Sequence, residues 1–192
     1  MHKVHVKAAL HRVLVASSLG LALMANANAQ TSATCFFDTI RASTNTEQYF
    51  DNGDGTILDV LTGLTWSACL YGQTFNTDTQ GCDGAPTPVA NFSAAISAQE
   101  SLNDSAYAGK QDWRLPNMKE LSTLIEYACI EPAMRNDIFD SAPSAPVWSN
   151  TPNSQGVGPT EARVIHFADG TELVDDLATT SIYVRVVRTE IN

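Results

Sequence analysis

The stretch DWRLPNMKEL, Asp112–Leu121, decides how this chain folds. Pro116 has no backbone N–H, and it drives Leu115 toward extended geometry. Trp113 to Leu115 therefore reads as a short extended piece that ends at the proline. Asn117 carries a side chain suited to capping a helix, and Glu120, three residues on, completes a capping box. Met118, Leu121, Leu124, Ile125 and Ala128 then recur at helical spacing as one apolar stripe. Trp113 and Leu115 are expected to lie buried beside the first helical turn, with Asp112 and Arg114 fixing the approach. A direct ligand role for this corner is the alternative. We take the structural reading, because large aromatic side chains mostly serve packing.

Upstream of this corner, residues 1–29 have the form of a secretory leader. Lys3, Lys7 and Arg12 precede an apolar run, Val13–Met24, and Ala27-Asn28-Ala29 supplies a cleavage pattern. The apolar run is too short to span a bilayer comfortably. Cleavage before Gln30 would give an exported protein, periplasmic, secreted or at the cell surface, without stable membrane insertion. Residues 30–46 read as an N-terminal tether pinned by its cysteine, and residues 47–192 as a single domain. The leader takes three of the eleven basic residues with it, leaving eight against 21 acidic ones. So acidic a chain argues against nucleic acid, polyanions and anionic membranes as partners, since each needs a cationic face.

Four cysteines, Cys35, Cys69, Cys82 and Cys129, follow the leader. An even number in an exported chain reads as two disulfides. Of the three possible pairings we favour Cys69–Cys82, which closes a local loop, with Cys35–Cys129 tying the N-terminal segment to the second helix. Zinc is the competing reading. It lacks a CxxC pair, and His166 is the one histidine outside the leader. No cofactor is expected.

The remaining elements follow from punctuation and period. Asp51–Thr56, DNGDGT, is a hairpin loop, because Asn-Gly and Asp-Gly favour positive φ. As a calcium loop with Gly55 at the sixth position it would begin at Phe50 and end at Leu61, neither of them a carboxylate. Asp51, Asp54 and Asp59 remain secondary calcium candidates, and no metal is expected. Leu61–Trp66 carries Trp66 into the core. Cys69–Pro88 is a long aperiodic loop. Asn91 caps a helix that runs to about Ser105, with Phe92, Ala95, Ile96, Gln99 and Leu102 on one face. Prolines then break the chain around a short strand, Val147–Asn150, that holds Trp148. Ala162–Phe167 alternates, Asp169-Gly170 turns, and Thr171–Val174 returns. Ser181–Arg188 is a last strand, expected to pair with the N-terminal hairpin. The order is that of an α+β domain, an antiparallel sheet with two helices segregated from it and long loops, stapled by disulfides.

These motifs, taken together, carry a resemblance. DNGDGT (51–56), LTGLTW (61–66), DWRLPNMKEL (112–121), Pro132-Ala133, VWSN (147–150) and YVRVVR (183–188) resemble the bacterial exported domain named for the C-terminal domain of the Lcl collagen-like adhesin. The resemblance covers about Tyr49 to Arg188. It implies a C-type-lectin-like fold, distantly similar to formylglycine-generating enzymes, and an extracytoplasmic adhesion or ligand-binding role. In the founding adhesin the domain is linked to sulfated glycans. This chain departs from it in lacking a Gly-X-Y repeat and in being acidic.

Three functional readings follow. As a binding module for a surface glycan or protein, the chain offers Trp148, Asn150 and Asp169 on one edge, with Arg163 and Tyr183 beside them. The plainer alternative puts Trp148 in the core. Glu131-Pro132-Ala133 and Trp148-Ser149-Asn150 echo the two triplets of calcium-dependent lectins, each short of one oxygen ligand. As an enzyme of the formylglycine-generating kind it would need a reactive thiol, and the cysteines are all expected in disulfides. Ser149 has no candidate base but His166, and no GxSxG or HExxH occurs. The third reading is a structural subunit of an envelope or appendage assembly. The expectation is a non-enzymatic ligand-binding or adhesion module.

Overall fold

The computed structural model describes residues 33–153, 161–174 and 182–189. The expected leader, Pro159 and Ser181 lie outside the described residues. Strands and helices follow one another as β1 (Thr34–Cys35), β2 (Tyr49–Asp51), β3 (Thr56–Asp59), β4 (Leu64–Ser67), β5 (Thr74–Asn76), β6 (Gly81–Asp83), α1 (Phe92–Asp104) and α2 (Met118–Ser122). They continue as β7 (Cys129–Ile130), β8 (Pro146–Pro152), β9 (Ala162–His166), β10 (Thr171–Val174) and β11 (Val187–Thr189). The strands pair antiparallel, in a four-stranded sheet of order β11-β4-β3-β2 and a three-stranded sheet of order β10-β9-β8. Two small pairs, β1-β7 and β5-β6, stand apart. The expected α+β character holds; the last strand joins the N-terminal sheet, but its partner is β4, which follows the β2–β3 hairpin, with Val187 opposite Trp66.

The corner at 112–121 joins the two larger sheets. Arg114 exchanges both backbone hydrogen bonds with Val187, each 2.9 Å, while the Pro116 carbonyl accepts from the Asn150 amide at 2.7 Å. Helix α1 holds Trp113 from the other side: Gln99 Nε2 and Asn103 Nδ2 donate to the Trp113 carbonyl, and Asn103 Oδ1 accepts the Trp113 amide. The indole N–H of Trp113 reaches the Tyr107 carbonyl at 2.9 Å. The two charges of the corner serve different partners. Asp112 accepts from Arg188 at 2.8 Å, and Arg114 grips Glu120 with two bonds of 2.7 Å. The capping box of Asn117 and Glu120 is formed as expected.

The alternating side chains of β8 and β9 enter two separate cores, as the period of two requires. Val147 and Ile165 join Trp66, Ile57, Leu121, Leu124 and Phe139. Trp148 and Val164 join Trp113, Leu115, Val184 and the α1 residues Ala95 and Ala98. The strand pair is thus buried on both faces.

Four local expectations need correction. Helix α2 ends at Ser122 although its apolar stripe runs on, because the hydroxyls of Ser122 and Thr123 bond the Lys119 and Glu120 carbonyls and favour turns. Leu124 and Ile125 reach the core from those turns. The Cys69–Pro88 loop contains the β5–β6 hairpin. The last strand is interrupted: Ile182 and Tyr183 make isolated bridges, to Val89 and Val147, and only Val187–Thr189 is regular. Between them Arg185 is buried and bonds the Ser67 and Ala68 carbonyls, while the Val184 and Val186 carbonyls accept the Tyr71 and Ser67 amides outside a regular ladder. Both favoured disulfides, Cys69–Cys82 and Cys35–Cys129, are formed. Cys129 lies on β7 opposite Cys35, beyond the helix. No helix among the described residues is long and apolar enough to cross a membrane.

Candidate functional site

The five residues expected to bind a ligand do not form one face. Trp148 is 1% exposed, with its ring 6.1 Å from Phe92, so it is a core residue. The reason is its place on a strand covered on both sides. Asn150 is exposed on β8, its amide bonded to the Pro116 carbonyl of the corner, and Tyr183 packs partly buried against the first core. Arg163 is ion-paired to Glu172 at 2.5 Å. Asp169 sits in the β9–β10 turn, where its carboxylate accepts the Thr171 amide and hydroxyl, bonds that hold it below the usual carboxylate range.

The secondary calcium candidates are also separate. Asp51 accepts the Gly53 amide, and Asp54 accepts the Thr56 amide and hydroxyl. Asp59 is fully buried and holds Leu61, Thr62 and Gln48. Each carboxylate shapes its own turn. Among the described residues no group of three or more His, Cys, Asp or Glu is placed to hold a metal ion. The Ser149 hydroxyl donates to the Arg163 carbonyl at 2.7 Å, and His166 Nδ1 accepts the Ala168 amide at 3.2 Å.

Arg163 and Asp169 nevertheless border a real feature. A cleft of about 190 Å³ opens between α2 and the β9–β10 hairpin. Met118, Ile125 and Ile165 give it an apolar floor, and Lys119, Ser122, Glu172 and Tyr127 surround that floor with polar groups. Glu172 is the residue that Arg163 holds, and Asp169 precedes Gly170, which also lines the cleft. Gly170 has φ +81°, and a Cβ there would stand 2.8 Å from Ile125 Cγ2. Only glycine lets this turn lie so close to the floor. Tyr127 is 64% exposed, an aromatic ring held in solvent at the cleft wall.

The family model of the Lcl C-terminal domain matches residues 55–188. This chain belongs to the Lcl C-terminal domain family. No match was found among curated proteins or solved structures.

Two features of this Lcl C-terminal domain were not legible in its sequence. Tyr127 belongs to no periodic pattern, and nothing local marks it as exposed. Glu126, beside it, is completely buried, yet its carboxylate accepts from the amides of Ser43, Thr44 and Ala128 and the hydroxyls of Ser43 and Thr44. Burial alone would raise its pKa; the hydrogen bonds outweigh burial and lower it to about 2. Arg185 is the opposite case, a guanidinium whose pKa burial pushes down to about 10. It lies 4.9 Å over the Phe139 ring in the interior, out of reach of a surface ligand.

Proposed function

We propose that this domain is an exported, C-type-lectin-like binding module of the adhesion kind, which takes one neutral, sugar-sized group in the cleft between α2 and the β9–β10 turn. The observation that carries this reading is Tyr127, an exposed ring at the wall of an apolar-floored cleft whose rim offers ammonium, hydroxyl and carboxylate groups. A pyranose has a C–H face that packs on an aromatic ring and hydroxyls that need donors and acceptors around it. The cleft volume of about 190 Å³ corresponds to about six waters at liquid density, in the range of a single hexose. A chain with a net charge of −10 and Glu172 on the rim favours a neutral glycan over a sulfated one.

Action by binding, without catalysis, is supported by the closure of all four cysteines in disulfides and the engagement of the Ser149 hydroxyl by a backbone carbonyl. Export is supported by the leader-like N-terminus and by the disulfides, which persist in oxidising compartments. A second reading, a subunit of an envelope assembly, rests on a different surface. Phe36, Phe37 and Ile130 are 43–45% exposed around the Cys35–Cys129 disulfide, an apolar patch suited to a protein partner.

The deciding experiment is a glycan array with and without calcium, followed by calorimetric titration of the best neutral glycan against wild type and Tyr127→Ala. Retention of a neutral glycan independent of calcium is expected, with at least a tenfold loss in Tyr127→Ala, about 1.4 kcal/mol. An empty array, or equal affinity in the variant, removes the glycan reading.

A further inference from the structure

Tyr127 poses a physical problem. With most of its ring in solvent, packing does not hold it in place. Its backbone is not held by regular structure either, since α2 ends at Ser122 and β7 begins at Cys129. The Tyr127 amide has as its acceptor the side chain of Ser43, at 2.9 Å, from a segment 84 residues earlier in the chain. The Ser43 hydroxyl in turn faces the Ile125 carbonyl at 3.2 Å and Glu126 Oε1 at 3.0 Å. It has one proton to give, and the shorter contact to an ionised oxygen takes it. Ile125 and Tyr127, the residues on either side of Glu126, both line the cleft.

We infer that Ser43 is a positioning residue for the cleft: with Thr44 it clasps Glu126, and through that clasp the N-terminal segment sets where Ile125 and Tyr127 stand. This rests on the cleft being the binding site. The clasp has two parts. The Ser43 and Thr44 amides donate to the Glu126 carboxylate at 2.9 Å each, and the Thr44 hydroxyl donates at 2.7 Å. Behind it, the segment is fastened by the Cys35–Cys129 disulfide and by the Phe36 amide, which donates to the Ala128 carbonyl at 2.8 Å. The wall at 125–128 is therefore gripped at both ends by residues 35–44. These residues lie outside the stretch 55–188 that the family model matches. The binding unit of this chain is thus longer than its matched domain, and the N-terminal segment acts as part of the site's frame, where the sequence reads as a tether.

The test uses the full exported chain with its disulfides intact, and three forms: wild type, Ser43→Ala and Ser43→Thr. Hydrogen exchange at the Tyr127 amide, followed by NMR, needs no ligand. It is expected to quicken about tenfold in Ser43→Ala and to return near the wild-type rate in Ser43→Thr, with core amides of β4 and β9 unchanged. Unchanged exchange at Tyr127 overturns the inference. So does faster exchange spread evenly over the domain, which would mark a general loss of stability. The same variants are then titrated with methyl N-acetyl-β-D-glucosaminide, whose acetyl group suits the apolar floor. If wild type does not bind this probe, the glycan reading loses its support while the amide result still judges the clasp. If wild type binds, Ser43→Ala is expected to bind about tenfold more weakly and Ser43→Thr near wild type, and equal affinity in Ser43→Ala overturns the inference.

Discussion

Glu120 and Glu126 lie six residues apart and show the same side chain used in two ways. Glu120 works locally. It returns to the Asn117 amide at 2.8 Å and pairs with Arg114, all within one corner. Glu126 works across the chain, holding Ser43 and Thr44 from 83 and 82 residues away. Its side chain is buried, and among the described residues it accepts from the amides of Ser43, Thr44 and Ala128 and the hydroxyls of Ser43 and Thr44. The local acid caps the start of a helix. The remote acid joins the N-terminal segment to the wall of the cleft.

The strongest way to break this contrast is to cut the remote fastening at its covalent point. Cys35 and Cys129 are 94 residues apart, while Cys69 and Cys82 are separated by 13. On the chain-entropy model, replacing the first pair by serine costs about 4 to 5 kcal/mol and the second about 3 kcal/mol. Urea unfolding of the two double variants measures both. A larger loss at Cys69–Cys82 would mean the remote segment is not a principal fastening.

Next in size is Glu126 itself. Its pKa is about 2 in the fold against an ordinary 4.5, so the folded state favours the ionised form. The stabilisation is fully present above about pH 4.5 and is lost as pH falls toward 2, amounting to about 3 kcal/mol. Glu126→Gln should therefore lower stability at pH 7 by a similar amount and flatten the acid limb of a plot of unfolding free energy against pH. An acid limb unchanged by the substitution would show that the nest of donors does not hold the charge. Glu120, whose pKa is also lowered despite burial, should contribute less to that limb, since part of its side chain meets solvent.

The same contrast explains what could be read from the sequence. The Asp51–Thr56 hairpin and the Asn91 and Asn117 caps depend on neighbours within a few residues, where residue type and spacing carry the signal. The disulfide pairing was readable because four cysteines leave few choices. The β5–β6 hairpin was hidden because its turn places Gln80, not glycine, at φ +55°. For Trp148 both a ligand edge and the core are open in the sequence, because Val147 and Trp148 are too short an apolar run to tell a strand covered on both faces from one covered on a single face. The alternation of the last strand does not mark Arg185 as buried, because the three acceptors and the aromatic ring that receive it in the interior are all remote in sequence. Glu126 and Tyr127 have no local mark because what defines them lies at Ser43 and Thr44.

The smallest expected effect tests the local half of the contrast. Asn117→Ala removes the acceptor of the Glu120 amide, now at 3.0 Å, and leaves that donor to water. It does not touch the reciprocal bond from the Asn117 amide to Glu120, nor the two bonds from Arg114. The Met118 amide also keeps its own acceptor, Thr151 Oγ1 at 2.8 Å, so the first turn stays tied to β8. The loss should therefore be that of one helix cap, about 1 kcal/mol, and the exchange rate of the Tyr127 amide should stay as in wild type. Arg114→Ala in the same background should add little more than its single-variant cost if the two act on separate faces of Glu120. A cost in Asn117→Ala that matches Glu126→Gln, or an accelerated Tyr127 amide, would show that the corner and the clasp form one cooperative unit, and the distinction between local and remote acids would no longer hold.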